Sequence, residues 1–474
     1  MKAFLRYCLT VTVLGVLSAV LAGGECAAQA AAGGSSGAQA RASQSEAAPH
    51  PLSLHACMAY AVSHSTQVRI SQSKTEDTRL DRRNAILQAF TPSIDAGTSG
   101  YYRWGRSIDP ETNTYMTVTS LNNSMAVSAG ITLFDGFSAI NNIRISKTAL
   151  SMGLSQEQQE MDKVCLATME AFFNVLYYSK LSEIFAEQVA NAQTMVTLAE
   201  RQEQLGAKSH ADVVQMRADL ADREYELISS RNSLSDALIT LQDVMFWPVD
   251  EPLNIDTCLS SLESPAALAE TEAVVAFARE HQPSVLTAKG ERDNAALSLN
   301  TAKWRFLPTL NLYGGWSTSY YTYPNLEGYS TVPYWSQFRN NGGEYLQLSL
   351  SFPIYDRLSK VSQVSKKKSA YQRASLAYDQ ARRDVEAEVR RAVQDRDGAA
   401  MALTQAERRA QAQDEVWRLN ARRFEQGLIS SIEYNTAAGN YLKAKAESLN
   451  AQLKYQLKRR VVDYYNGNSY LDQQ

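Results

Sequence analysis

"RQEQLGAKSHAD" (residues 201–212) and "RRFEQGLISSIE" (residues 422–433) share one pattern: a charged lead-in, a glycine, two linking residues, a serine and, three further on, an acid. Gly206 matches Gly427, Ser209 matches Ser430 and Asp212 matches Glu433, all at an offset of 221 residues. Glycine supplies the left-handed residue that closes a helix. Serine followed three residues later by an acid opens the next one as a capping box. Each stretch therefore reads as the tip of a helical hairpin, present twice.

The duplication extends in both directions. "AGITLFDGFS" (129–138) aligns with "LSFPIYDRLS" (350–359) at the same offset, pairing Phe134 with Tyr355 and Asp135 with Asp356. Upstream, "LQAFTPSIDA" matches "KWRFLPTLNL" with Pro92 opposite Pro308, and "AVSHSTQV" matches "AREHQPSV" with His64 opposite His281. Internal repeats fix an architecture before any single motif is read. The expected organisation is a first repeat over 51–245, a Pro-containing link over 246–265, a second repeat over 266–466 and a C-terminal tail over 467–474.

Each repeat reads as helix, strand, strand, very long helix, helix. A first helix over about 53–90 ends at Phe-Thr-Pro, because proline stops a helix and pushes its predecessor into extended geometry. Period-two alternation follows, with Ile94, Ala96, Thr98, Gly100, Tyr102 and Trp104 on one face, then Met125, Val127, Ala129, Ile131 and Leu133. The second repeat gives Leu310, Leu312, Gly314 and Trp316, then Leu346, Leu348, Leu350, Phe352 and Ile354. These four strands read as two hairpins. Proline-free helical stretches follow over about 137–204 and 360–425. Beyond each tip, Val213, Leu220, Leu227, Leu234 and Leu241 recur every seventh residue, with Tyr434, Tyr441, Tyr455 and Val462 at matching places, which implies supercoiling against neighbours.

The formal net charge of the 474-residue chain is -3, which gives no reason to expect nucleic acid as a partner. Lys2 and Arg6 precede the apolar run "CLTVTVLGVLSAVLA", and Ala28-Gln29-Ala30 fits a cleavage site, so residues 1–30 read as a secretory signal peptide and 31–50 as a flexible segment. No later stretch approaches the roughly 20 apolar residues of a membrane helix. Without the leader the cysteines are Cys57, Cys165 and Cys258, too few and too scattered for a disulfide framework; each reads as a small buried apolar residue, with a Cys57–Cys258 bridge as the alternative. His50, His55, His64, His210 and His281 lack ligand spacing, and no nucleotide or hydrolase motif is present, so neither an enzyme nor a cofactor is expected.

Strands with an apolar outer face, behind an export signal, suggest an outer-membrane barrel, since open sheet edges are excluded from lipid. Four strands are too few to close one. Two copies would give eight strands and a filled interior, whereas three would give twelve and a water-filled lumen. Tyr101, Tyr102, Trp104, Trp316, Tyr320, Tyr321 and Tyr323 lie toward the loop ends, where an aromatic girdle belongs.

The duplicated order, the "TLFDG" turn into a long helix and the paired tips "LGAKSHADV" and "QGLISSIEY" resemble the TolC family of outer-membrane efflux channels over about 51–466. The resemblance implies a mainly α fold with β: four strands per subunit of a homotrimeric twelve-stranded β-barrel in outer-membrane lipid, continuing into a periplasmic α-helical barrel. An equatorial domain would form from the central link and the C-terminal end. It implies a passive, gated export conduit of a tripartite efflux or type I secretion system, docked on a periplasmic adaptor protein and driven by an inner-membrane pump. Gly206, Ser209, Gly427 and Ser430 would then form the adaptor-docking tips, and Asp212, Glu433 and Phe424 would stand at gate positions. The family's second tip acid is replaced here by Thr436 and its basic loop position by Ile429, which weakens the expectation of a salt-bridged gate. Both acids are equally explained as helix caps, and Phe424 as a core aromatic. The run "SKKKS" (365–369) with Arg373, Arg382 and Arg383 reads as a solvated face, or as a positive lining for anionic cargo. The competing reading is an exported coiled-coil spacer without a pore.

Overall fold

A computed structural model describes residues 51–108, 113–248, 250–257, 270–324, 330 and 332–471; the expected signal peptide, the flexible segment and Cys258 lie outside them. The chain divides into two compact units. In the described part of the smaller one, Leu52 bridges Ile255 in parallel and donates its N–H to the Asn254 carbonyl at 2.9 Å. The larger one, Leu54–Leu253 and Thr257–Gln474, holds the helices and strands.

Each repeat opens with two helices rather than the single one expected. α1 (Leu54–His64) and α2 (Thr66–Phe90) are separated at Ser65, and the same break recurs in the second repeat at Gln282, between Thr271–His281 and Pro283–Trp304. Ser65 is extended (ψ 124°) and its hydroxyl accepts from the Val68 N–H at 3.4 Å, so it ends one helix and caps the next. Gln282 (ψ 133°) is extended because Pro283 follows it. His64 and His281 are the last residues before the breaks; each stacks on an aromatic ring one turn back, Tyr60 at 3.9 Å and Phe277 at 4.2 Å.

The strands β1 (Ser93–Ile108), β2 (Tyr115–Phe134), β3 (Thr309–Thr322) and β4 (Gly343–Ser351) form one antiparallel sheet in the order β1-β2-β3-β4. The two expected hairpins are therefore joined, because β2 of the first repeat pairs with β3 of the second. The register lines up the apolar positions across strands: Ile94 opposes Ala129, Ala129 opposes Gly314, and Gly314 opposes Leu346, with Ile131, Leu312 and Leu348 in a neighbouring row. The other face carries Asp95, Ser128 and Gly315 in one row and Thr132, Asn311 and Ser349 in another, Thr132 donating to the Asn311 side-chain oxygen at 2.9 Å. On this polar face the Tyr313 ring lies over Gly130, where an added Cβ would stand 2.9 Å from the ring. Parity divides the expected aromatic girdle: Tyr102, Trp104, Trp316 and Tyr320 share the apolar face, whereas Tyr101 and Tyr321 both oppose Asn122 on the polar one.

The strand-to-helix turns are built alike. Asp135 accepts from the Ala139 N–H at 2.9 Å and Asp356 from the Lys360 N–H at 2.8 Å, each capping a helix start. Two consecutive left-handed residues follow each aspartate, Gly136 and Phe137 in one repeat and Arg357 and Leu358 in the other. Only the first copy requires glycine, because a Cβ at Gly136 would stand 2.6 Å from the Trp304 carbonyl oxygen.

α3 (Ser138–Gln204) turns into α4 (His210–Met245). In the second repeat, α5 (Thr271–His281) and α6 (Pro283–Trp304) precede β3, a short helix α7 (Tyr334–Asn340) lies between β3 and β4, and α8 (Ser359–Glu425) turns into α9 (Ser431–Tyr465). α3 and α8 are 67 residues each, about 100 Å at the helical rise of 1.5 Å per residue. The seven-residue stripes face inward: Val213, Leu241, Tyr434, Tyr455 and Val462 are buried, and Leu220, Leu227, Leu234 and Tyr441 half-buried. Away from the tips, Val274, Val275, Ala278 and Val285 pack on Val385, Val389 and Val393 of α8 and on Val462 and Tyr465 of α9. Tyr470 of the tail stacks on Tyr464 at 4.6 Å. Cys57 and Cys165 are free and buried. Among the described residues no helix is long and apolar enough to cross a membrane.

Candidate functional site

Both tips close their long helix in the same way. Gly206 (φ 75°) and Gly427 (φ 72°) donate to the carbonyls of Glu203 at 2.8 Å and Phe424 at 3.0 Å, and the next residues, Ala207 and Leu428, reach back to Gln202 and Arg423. This paired bonding satisfies the last carbonyls of the helix and leaves the glycine on the outside. Nothing lies within 4 Å of a Cβ built on either glycine, so conformation, not crowding, demands them. Ser209 and Ser430 then accept from the N–H groups of Asp212 and Glu433, both at 3.2 Å.

Beyond the backbone the two tips differ. The Asp212 carboxylate accepts the Ser209 hydroxyl at 2.8 Å and, from the other repeat, the Ser431 hydroxyl at 3.0 Å. The Ser209 hydroxyl bond above all, helped by the Ser431 bond, the Ser209 backbone and the nearby Lys208 charge, holds the Asp212 carboxyl below the usual carboxylate range, although burial opposes it. Glu433 makes no matching tie among the described residues, and its side chain is exposed. The structure therefore brings Asp212 to the second tip and leaves Glu433 apart from the first.

Phe424 is fully buried in a core shared by both hairpins, with Val196, Ala199, Val213, Met216, Ile429 and Tyr434. Its ring stacks on Tyr434 at 5.0 Å, and the Lys208 ammonium of the first tip sits 3.4 Å from its centroid. Burial of the long Lys208 stem lowers the lysine's affinity for its proton, with the Asp212 charge opposing. Ile429 fills the same core, which accounts for an apolar residue at that loop position. A further link runs from the Gln202 side-chain amide to the Glu425 carbonyl at 3.1 Å. Within the first tip, His210 meets Glu203 at 2.8 Å and Arg217 meets Glu200 at 2.7 Å.

Ser431, Lys208 and Gln202 are the contact residues that sequence reasoning missed. Ser431 hides behind its neighbour Ser430, whose capping role is legible; Lys208 and Gln202 carry no pattern of their own, since each acts on a partner more than 200 residues away. Below the tips, Arg223 of α4 is buried between Asp219 at 3.7 Å and Glu226 at 3.5 Å and faces Gly439 of α9. On α8, Lys366, Lys367 and Lys368 are exposed, and Lys367 borders a cleft of about 240 Å³ with Asn142, Ser298, Thr301, Arg305 and Gln363. Among the described residues no group of His, Cys, Asp and Glu is arranged to hold a metal. At the tips the two hairpins thus share an apolar core around Phe424, and a few polar contacts, Ser431 to Asp212 and Gln202 to the Glu425 carbonyl, join them beside it.

A family model described as outer membrane efflux protein matches residues 67–245 and 274–463. No curated protein matches the chain. Among solved structures it is similar to CusC, described for its folding and transmembrane channel formation (TM-score 0.73, 16% identity, 90% of this chain and 95% of that one). It is also similar to the Campylobacter jejuni outer membrane channel CmeC (TM-score 0.71, 15% identity, 88% and 85%). A third likeness is to the Vibrio cholerae outer membrane protein VceC (TM-score 0.69, 13% identity, 88% and 96%). At these identities the likeness concerns the fold.

Proposed function

The chain belongs to the outer membrane efflux protein family, and from that membership together with the sheet and the tips we propose that it is the outer-membrane conduit of a tripartite export system. The observation that carries the reading is the register. It gathers the aliphatic rows of Ile94, Ala129, Ile131, Leu312, Leu346 and Leu348 on one face and the rows of Asp95, Ser128, Thr132, Asn311 and Ser349 on the other, while among the described residues β1 and β4 each pair on one side only. In lipid a sheet edge left unpaired is prohibitively costly, so the sheet must close with further copies. Three copies supply twelve strands with a polar lumen.

In this reading the long helices continue the conduit into the periplasm, and the tips around Gly206, Ser209, Gly427 and Ser430 meet a periplasmic adaptor. The adaptor in turn couples to an inner-membrane pump, which supplies the energy. Conduction itself needs no cofactor. The cross-tip contacts Ser431–Asp212 and Lys208–Phe424 hold the second hairpin against the first and keep the tip narrow; engagement of the adaptor releases them. Glu433, exposed and untied, adds negative charge at the mouth rather than a lock. The basic stretch of α8 favours anionic cargo if it faces the lumen.

The test is to purify the mature protein in detergent and to measure subunit number and single-channel conductance together. A trimer that forms a stable pore supports the conduit. A monomer without conductance would replace it with the coiled-coil spacer.

A further inference from the structure

The connection between β3 and β4 holds a helix that the conduit does not require. β4 begins at Gly343, opposite Ser317, so β3 runs on from Thr318 to Thr322 without a strand on that side. α7 occupies the vacated place. The Gln337 side chain, buried, acts as a strand would: its amide nitrogen donates to the Tyr321 carbonyl at 2.9 Å and its oxygen accepts the Tyr321 N–H at 3.1 Å. Asn341 donates to the Ser319 carbonyl at 2.7 Å, and Thr318 donates to the Phe338 carbonyl at 2.7 Å. α7 is thus fixed to the sheet by specific bonds and is no loose loop.

The face it covers is the apolar one. Phe338 packs on Trp316 at 5.5 Å, Tyr334 on Tyr320 at 4.8 Å, and the Tyr334 hydroxyl donates to Asn123, the register partner of Tyr320. These positions lie at the loop end of the sheet, the end away from the long helices. What α7 turns outward is Trp335, 70% exposed, whose ring meets those of Tyr334 and Phe338 in T-shaped contacts at 5.4 and 5.6 Å, and, one turn later on the same side, the exposed Arg339. Trp104, 73% exposed, stands toward the same end of the sheet on the same face. A tryptophan with an apolar body and an N–H, beside an arginine and above an apolar wall, matches the boundary between hydrocarbon and headgroups. Neither water alone nor a polar lumen accounts for placing Trp335 there.

We propose that α7 is an interfacial foot of the barrel, lying outside its wall with Trp335 in the headgroup layer of the outer leaflet. The proposal rests on the barrel reading above. It assigns to α7 the setting of the barrel's depth in the membrane: strand pairing resists tilt of the wall, and the foot resists sliding along the membrane normal.

The protein has six tryptophans, so Trp335 is read by difference between the wild-type chain and Trp335→Phe, an exposed and conservative change. Both are reconstituted in phosphatidylcholine vesicles whose acyl chains carry bromine either near the headgroup or near the chain end. The expected result is that the difference fluorescence is quenched more strongly by the shallow bromines than by the deep ones, and weakly by aqueous iodide. Quenching by iodide with neither lipid effective would put α7 in water and overturn the proposal. Shielding from all three quenchers would mean that another copy of the chain covers Trp335, which overturns it equally. Trp104 and Trp316 remain in the variant as a control: if brominated lipid leaves that residual fluorescence untouched, the barrel reading fails instead.

Discussion

Ser431, the first residue of α9, donates to the Asp212 carboxylate of α4 at 3.0 Å and so ties the second repeat to the first at the tips, while the repeat-related acid Glu433 is left exposed. Replacing Ser431 with Ala removes the tie but leaves both caps, Ser209 and Ser430, in place. The expected outcome is a rise in single-channel conductance with a loss of about 1 kcal/mol of stability. Asp212→Asn should move conductance in the same direction, and Glu433→Asn much less. Equal effects of the two acid variants would mean that the asymmetry between the tips is irrelevant to the gate.

Acid should act through the same bond. The folded Asp212 carboxyl lies below its ordinary value of 3.8, so the stability it adds is fully present above that value and is lost as pH falls through the lower folded one. Conductance recorded on a descending pH series should therefore rise in the wild-type chain below about pH 4 and stay flat in Ser431→Ala. A parallel rise in both would assign the effect to another group.

Asp162 has the opposite sign. It is buried, and burial raises its carboxyl above the ordinary value despite hydrogen bonds from Tyr464 at 2.7 Å and Gln158 at 2.9 Å. Its contribution is present below the unfolded value and declines as pH rises toward the folded one. Asp162→Asn keeps an oxygen for Tyr464 without the buried charge. Thermal unfolding at neutral pH should show the variant as stable as the wild type or more so, with a flatter pH dependence; a clear loss at neutral pH would show that the charge itself is needed.

The two tip glycines should respond alike to alanine. Both are left-handed and neither is crowded, so Gly206→Ala and Gly427→Ala should each cost about 1–2 kcal/mol of stability. Gly136→Ala should cost more, because the Trp304 carbonyl oxygen stands 2.6 Å from the added carbon. Denaturation midpoints of the three variants give the order directly.

On the polar face of the sheet, Gly130→Ala should displace the Tyr313 ring, since the new methyl would lie 2.9 Å from it. The double variant with Tyr313→Ala should lose that penalty. Comparing the single and double variants by heat-modifiable gel migration separates ring displacement from an intrinsic strand effect.

What the sequence made legible was whatever is written locally and twice: the glycine-serine-acid tips, the pairing of Asp135 with Asp356 at the turn into each long helix, the strand alternation and the proline-free long helices; that both aspartates cap those helices came from the structure. The break at Ser65 was missed because serine inside a helical pattern is only weakly informative, although Gln282-Pro283 marks the same break openly in the other copy. Pairing of β2 with β3, the burial of Phe424 between hairpins and the reach of Ser431 to Asp212 depend on residues far apart in sequence, and neither periodicity nor capping chemistry encodes such distances. α7 was invisible for a related reason: its polar residues complete a strand edge, a role with no sequence signature.

The equal lengths of α3 and α8, 67 residues each, constrain how such a chain can diverge. The tip contacts form only where both helices end at the same level, so an insertion in one half displaces its turn along the bundle and strands Ser431 from Asp212. A lineage that lengthens or shortens this protein must therefore do so in both halves, by matching whole turns. Insertions and deletions among its descendants should be found in pairs.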